Sequence, residues 1–174
     1  MQEASYIKKD RVSMFSPMEE RMSTEDLFSS LMAIDFMCTE LCNLKCDFCP
    51  RSKDYPNLNL HMSLDIIQKV AEELADLGYK NRLLFCGFGE PLLYKHLVEA
   101  VTILKNQMPW QQNIHIVTNG DRLNKAKAKE LYKAGVNKIF VSMYQGPEQV
   151  HRFKKILEDV DPSMYLLQHY YKPE

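Results

Sequence analysis

Apolar and polar positions along this chain alternate between two periods, and the alternation itself predicts the elements. Ala33-Ile34-Asp35-Phe36-Met37-Cys38 predicts a first strand. After Ser63, a plausible N-cap, the residues Ile66, Ile67, Val70, Leu74 and Leu77 keep helical spacing until Gly78 ends the helix. Arg82 to Cys86 predicts a second strand, and a helix from about His96 to Gln107 carries Val101 and Leu104, with Pro109 just beyond its end. Ile114 to Val117 predicts a third strand, Asn124 caps a helix running through Leu131 and stopping at Gly135, and Lys138 to Ser142 predicts a fourth strand. Pro147, suited to a first helical position, opens a helix with Val150, Phe153, Ile156 and Leu157. Asp161-Pro162 breaks it, and Met164 to Leu167 predicts a fifth strand.

Strands and helices joined by short connections argue for a parallel sheet of right-handed βαβ units. The fold class expected is α/β, a partial TIM-like (β/α) barrel of about five βα units with parallel strands and an open sheet edge. In such folds the working loops lie at the carboxyl ends of the strands. All the unusual segments fall there: the cysteine run after the first strand, Gly87-Phe88-Gly89-Glu90-Pro91 after the second, Thr118-Asn119-Gly120 after the third, Tyr144-Gln145-Gly146 after the fourth and Gln168-His169-Tyr170-Tyr171 after the fifth.

Composition narrows the class. A length of 174 residues suits one domain with a real core. Hydrophobic content is 45% and the net charge is −1, so bulk electrostatics favours neither nucleic acid nor an anionic membrane. No apolar run approaches the roughly 20 residues that span a bilayer, and the N-terminus lacks the apolar stretch of a signal peptide. Residues 1–30 are expected to be a polar leader outside the main fold, with Ser23 able to cap a helix from Thr24; residues 31–174 are expected to form the core.

Three of the five cysteines sit in Cys42-Asn43-Leu44-Lys45-Cys46-Asp47-Phe48-Cys49-Pro50, a Cys-x3-Cys-x2-Cys spacing. A zinc site more often shows two separated Cys-x2-Cys pairs, and the second pair is absent. An odd number of cysteines without a secretory segment argues against disulfides, and free thiols at cluster spacing imply a reducing, cytoplasmic setting. Iron–sulfur cubanes are normally held by four cysteines, one per iron. Three thiolates therefore leave one iron open, and an open metal position is where a substrate or cofactor can bind, as in catalytic zinc sites.

This triplet closely resembles the signature of the radical S-adenosylmethionine (radical SAM) enzymes, especially members with SPASM or twitch extensions. The resemblance implies a 4Fe-4S cluster on Cys42, Cys46 and Cys49, an open iron that chelates the amino and carboxylate groups of SAM, and Phe48 beside the adenine. Gly87-Phe88-Gly89-Glu90-Pro91 resembles the family's Gly-Gly-Glu-Pro element. It assigns Gly87, Gly89 and Glu90 to cofactor binding, with main-chain carbonyls accepting from the SAM ammonium; on the residues alone the segment is a strand-end turn. Thr118-Asn119-Gly120 matches the family's third-strand ending, which turns Asn119 toward the cofactor, and Ser142 is the candidate contact to the ribose or methionyl group. Ser142 to His151 resembles the Ser-x-Asp-Gly-Pro-x-x-x-His segment of the extended members but is one residue longer. Gln145 stands where Asp usually precedes the glycine, and Gln cannot titrate.

The remaining polar residues divide between functional and bland readings. His151, Arg152 and Lys155 either reach the SAM carboxylate or form a solvated helix face. Cys38 either completes a closed cluster or fills the strand end as a small hydrophobe, and Cys86 reads as the latter. His115 either points into the barrel or is a hydrogen-bonded core histidine. His61 and His96 suit loop or cap positions, and Gln168, His169, Tyr170, Tyr171 and Lys172 are expected to line the pocket.

In that family one electron enters the cluster and passes to SAM, giving methionine and a 5′-deoxyadenosyl radical that abstracts hydrogen from substrate. The cofactor carries the hard chemistry while the protein positions it and excludes water, so no protein acid or base is named. The resemblance implies a peptide or small-molecule substrate and a reductant such as flavodoxin or ferredoxin, with neither nucleic acid nor membrane as partner. It covers about residues 33–170. The family barrel usually has a sixth unit, so the chain is expected to be a fragment, a minimal member, or a chain whose open edge a partner covers. A non-catalytic iron–sulfur module with a binding or electron-transfer role is the alternative of a different class.

Overall fold

Short strands rich in Ile, Leu, Val and Phe bury one row of side chains against amphipathic helices, and that pairing builds the molecule. The structure, a computed structural model, describes residues 30–51 and 57–171. The fold lies in the unit Ala33–Glu174. The expected polar leader and its Ser23 cap lie outside the described residues, as does Lys172.

The strands are β1 (Ala33–Phe36), β2 (Arg82–Phe85), β3 (Ile114–Thr118), β4 (Lys138–Met143) and β5 (Tyr165–His169). They form one five-stranded sheet in the order β1-β2-β3-β4-β5, with every pairing parallel. Among the described residues the crossovers carry helices α1 (Leu64–Asp76), α2 (Leu97–Gln107), α3 (Lys125–Ala134) and α4 (Glu148–Ile156), with 3-10 turns at Pro91–Leu93 and Pro162–Met164. The architecture is thus the expected α/β one, an open sheet consistent with part of a TIM-like barrel.

Register explains which side chains meet. Phe36 pairs with Phe85, Phe85 with Ile116, and Ile116 with Ile139. That row is buried, as are Ile67, Ala71 and Leu74 of α1, Leu104 of α2, Leu131 of α3 and Phe153 of α4. Each Phe, Ile or Leu side chain among them, removed from water, contributes about 1.5–3 kcal/mol. The opposite row, period two along each strand, runs through Asp35, Leu84, His115 and Lys138.

Element ends follow local chemistry. The Ser63 hydroxyl accepts from Ile66 N at 3.4 Å, and Asn124 Oδ1 accepts from Lys127 N at 2.9 Å, which caps α3. The helical stripe of α1 is narrower than its sequence spacing suggests: Ile66 and Leu77 are 51% and 45% exposed, and Ala71 takes the buried position between Ile67 and Leu74. Pro147 stands one place earlier than expected, at the cap before Glu148. Gln168 and His169 belong to β5 itself rather than to the loop beyond it, because their backbone continues the ladder opposite Ser142 and Met143.

Candidate functional site

The loops at the carboxyl ends of the strands are bound to one another, and the glycines show how. Gly89 packs so tightly that a Cβ there would lie 1.8 Å from the carbonyl oxygen of Thr39; only a residue without a side chain lets these two backbones touch. Gly87, at φ +116°, sits where a Cβ would come within 2.8 Å of Met37 Cγ. The Gly87–Pro91 segment is therefore moulded onto the chain leading into the cysteine run. Glu90 N donates to Leu41 O at 2.7 Å and completes the contact.

Glu90 is the hinge pin of the rim. It is 3% exposed, and its carboxylate accepts from Thr118 Oγ1 at 2.5 Å, Leu92 N at 3.0 Å and Asn119 N at 2.8 Å. Burial raises its pKa above the ordinary carboxylate value, and these three donors pull it back down. Asn119 is 7% exposed. Its side chain donates to Asn43 Oδ1 at 3.0 Å, while Asn43 Nδ2 donates to Asp121 Oδ2 at 2.8 Å and Asp121 N donates to Asn119 Oδ1 at 2.9 Å. Cysteine loop, second-strand loop and third-strand loop thus form one hydrogen-bonded network. Asn43 was not singled out from the sequence, where an Asn between two cysteines carries no signal of its own.

The cysteine loop turns back on itself through Cys49 N donating to Cys46 O at 2.9 Å. Cys42, Cys46 and Cys49 are not disulfide-bonded and are partly exposed. Burial raises the Cys42 thiol, with the nearby Glu90 and Cys49 adding to it and Arg51 opposing. Burial, then Cys42 and Cys49, raise Cys46. The three sulfurs are near enough to feel one another's charge. Arg51, also missed from the sequence, is 8% exposed. It donates to Phe88 O at 3.5 Å and to Asn57 Oδ1, the same atom that accepts from Cys42 N at 3.2 Å.

An aromatic row crosses the rim. Phe48 of the cysteine loop lies 5.3 Å, centroid to centroid, from Tyr144 after β4, and Tyr144 lies 5.4 Å from Tyr170 after β5. Ser142 is buried at 4% exposure, and its hydroxyl donates to Tyr144, whose pKa burial raises and this bond lowers. His169 Nδ1 and the Tyr171 hydroxyl make a separate pair at 2.7 Å.

Other polar residues stand apart. Cys38 is 1% exposed and part of the hydrophobic core, and burial pushes its thiol up to about 12. Cys86 is pushed up to about 11 by burial and by Asp35, to which it donates a hydrogen bond. His115 lies in the row facing away from the helices; its Nδ1 is buried and finds no hydrogen-bond partner among the described residues. Burial, Arg82 and Lys138 all lower its pKa. Gln145 turns to α4, where its N–H donates to Gln149 Oε1 at 2.9 Å and its Oε1 accepts from Gln149 Nε2 at 3.3 Å. His151, Arg152 and Lys155 are exposed on α4, and Arg152 ties to Asp121 O at 3.0 Å. His61 is in a loop and His96 caps α2. A cavity of about 380 Å³ lined by Lys125, Tyr132, Ile156 and Asp161 includes none of the rim residues.

Comparison with known proteins decides the family. The model of the Radical SAM superfamily matches residues 36–168. The chain belongs to that superfamily. It is 29% identical over 119 residues to the S-adenosyl-L-methionine-dependent 2-deoxy-scyllo-inosamine dehydrogenase of Niallia circulans, covering 68% of this chain and 46% of that one. It is 36% identical over 105 residues to a probable GTP 3′,8-cyclase of Methanococcus vannielii, covering 60% and 34%. With the PqqA peptide cyclase of Bradyrhizobium diazoefficiens it shares 29% identity over 132 residues, covering 76% and 33%. Among solved structures, BtrN in complex with AdoMet and 2-DOIA superposes with a TM-score of 0.70 at 25% identity, covering 80% of this chain and 56% of that one. The chain thus spans a third to a half of the length of these curated relatives.

The cofactors of the superfamily are a 4Fe-4S cluster and S-adenosylmethionine, and the donor set fits the first. Among the described residues no three His, Cys, Asp or Glu side chains gather around one point as a single metal ion requires. A cubane asks for something different, one thiolate per iron on separate corners. Three partly exposed thiols on one loop would supply that set, with burial and neighbouring cysteines raising those of Cys42 and Cys46. The raised pKa values of Cys42 and Cys46 mean that metal must displace their protons.

Proposed function

We propose that this chain is the core of a radical SAM enzyme. In this reading Cys42, Cys46 and Cys49 hold the cluster, and Phe48, Gly87, Gly89, Glu90, Asn119 and Ser142 surround the SAM site. The bound cofactors supply the electron transfer and the 5′-deoxyadenosyl radical that takes a hydrogen atom from substrate. The protein's own residues do the positioning. Gly89 brings its backbone against the cysteine segment, Glu90 and Asn119 lock the second and third loops to Asn43, and Ser142 fixes Tyr144 against Phe48. Glu90 acts through its buried hydrogen bonds, which leaves the main chain of Gly87 and Gly89 to face the ligand.

The observation carrying this reading is the network Asn43–Asn119–Glu90, which fastens the cysteine loop to both neighbouring strand ends. A metal staple would need no such coupling to other rim loops. The substrate class is a peptide or small metabolite, and the electron donor a flavodoxin or ferredoxin in a reducing, cytoplasmic setting. Residues 31–174 make up the working core and residues 1–30 a leader. Anaerobic reconstitution with iron and sulfide, reduction with dithionite and assay for 5′-deoxyadenosine and methionine test it. Cleavage of SAM that disappears in Cys46→Ala is the expected result; a loaded, reducible cluster without SAM cleavage would instead identify a non-catalytic iron–sulfur module.

A further inference from the structure

Arg51 is a buried cation whose known neighbours are neutral. At 8% exposure its guanidinium meets the Phe88 carbonyl and the Asn57 side-chain oxygen, and among the described residues no carboxylate lies within ion-pair distance. Burying a charge among neutral groups is costly unless an opposite charge compensates. The hydrogen-bond geometry shows where that charge comes from. The Asn57 oxygen that Arg51 holds is also the acceptor for the Cys42 N–H, which places the cation one shared atom from a cysteine ligand.

We propose that Arg51 is the charge partner of the iron–sulfur cluster, a positioning residue that compensates the cluster's negative charge and raises its reduction potential. The inference rests on the proposed cluster at Cys42, Cys46 and Cys49. A four-iron core bound by cysteine thiolates gains one further negative charge when the reductant delivers an electron, and no bond to Arg51 forms or breaks. A fixed cation beside it stabilises the reduced state more than the oxidised one. The low effective dielectric of a buried site strengthens this, whereas a surface arginine would be screened. The planar fork also braces the loop through Phe88 and Asn57, so charge and bracing must be separated experimentally.

Arg51→Lys keeps the charge and loses the fork, and Arg51→Gln loses both. The full chain is reconstituted anaerobically, and the reduced cluster is followed by electron paramagnetic resonance against solution potential, without SAM. The expected result is that R51Q moves the one-electron equilibrium about tenfold toward the oxidised state, or about 59 mV, while R51K stays within about threefold of the parent. Should R51Q fail to hold iron while R51K loads fully, charge is again the property required. Equal shifts in both variants, equal loss of iron in both, or no shift in R51Q would overturn the assignment. If the parent chain assembles no four-iron cluster, the functional reading falls and this inference with it; a normal parent cluster with an unshifted R51Q sinks the Arg51 role alone.

Discussion

Removing the Glu90 carboxylate should unfasten the rim in the metal-free protein, before any cofactor is bound. Three donors converge on it: Thr118 Oγ1, Leu92 N and Asn119 N. Each buried donor left without an acceptor costs about 1–3 kcal/mol. In Glu90→Gln the amide oxygen can keep Leu92 and Thr118, while the NH2 must face the Asn119 N–H, so one bond is lost. Loss of a costly buried charge offsets part of this, and the net cost is about 1–2 kcal/mol. Glu90→Ala strands all three donors and leaves a void, costing roughly 3–5 kcal/mol. A chain of this size shifts its melting temperature by about 2–4 °C per kcal/mol. Thermal and urea unfolding of metal-free protein, read by circular dichroism, should therefore rank parent, E90Q and E90A in that order. A double-mutant cycle with Thr118→Val should give a coupling of about 1 kcal/mol. The pH dependence has a definite sign. A carboxyl whose pKa is raised by burial contributes stability below its unfolded value that is lost as pH rises through the folded one, so parent gains on E90Q as pH falls toward 4.5. An E90A protein within about 0.5 kcal/mol of parent, or E90Q as damaged as E90A, would refute the account.

Gly89→Ala must push the Thr39 backbone aside and should cost at least about 3 kcal/mol; Gly78→Ala, with nothing within 4 Å of its Cβ but φ +61°, should cost only about 1–2, and urea melts of the pair compare the two. His115→Phe should flatten the acid limb of stability. A histidine whose pKa is lowered by burial, Arg82 and Lys138 contributes stability above 6.5 that is lost as pH falls through its depressed folded value, so the variant should gain on parent as pH falls below 6.5. Tyr144→Ala removes both ring contacts of the aromatic row, at about 0.5–1.5 kcal/mol each beyond area burial. Amide exchange over residues 42–51 should quicken in that variant and stay near parent in Tyr144→Phe.

The fold was legible because its parts are local. Period-two runs, caps such as Ser63 and Asn124, and breakers such as Gly135 and Pro162 act within a few residues, and strands separated by helices leave parallel pairing as the natural arrangement. The cysteine spacing and the Gly-x-Gly-Glu-Pro segment were legible for the same reason. What sequence reasoning missed were partners remote along the chain: Asn43 with Asn119, Arg51 with Phe88, Tyr144 with Phe48. Its helical spacing took in Ile66 and Leu77, which are half-exposed, whereas Ala71 is fully buried between Ile67 and Leu74.

By itself the sequence determined that three thiols lie on one turn at the end of a first strand, because both facts follow from spacing and periodicity. Tertiary structure decided what surrounds that turn. Parallel pairing brings residues 41, 90 and 119 together, and only then does Glu90 change from a rim carboxylate into a buried brace. Arg51 likewise becomes a desolvated charge beside Cys42 rather than a surface arginine. Burial and hydrogen-bond partnership are properties of the assembled sheet, and no stretch of the chain carries them before it folds.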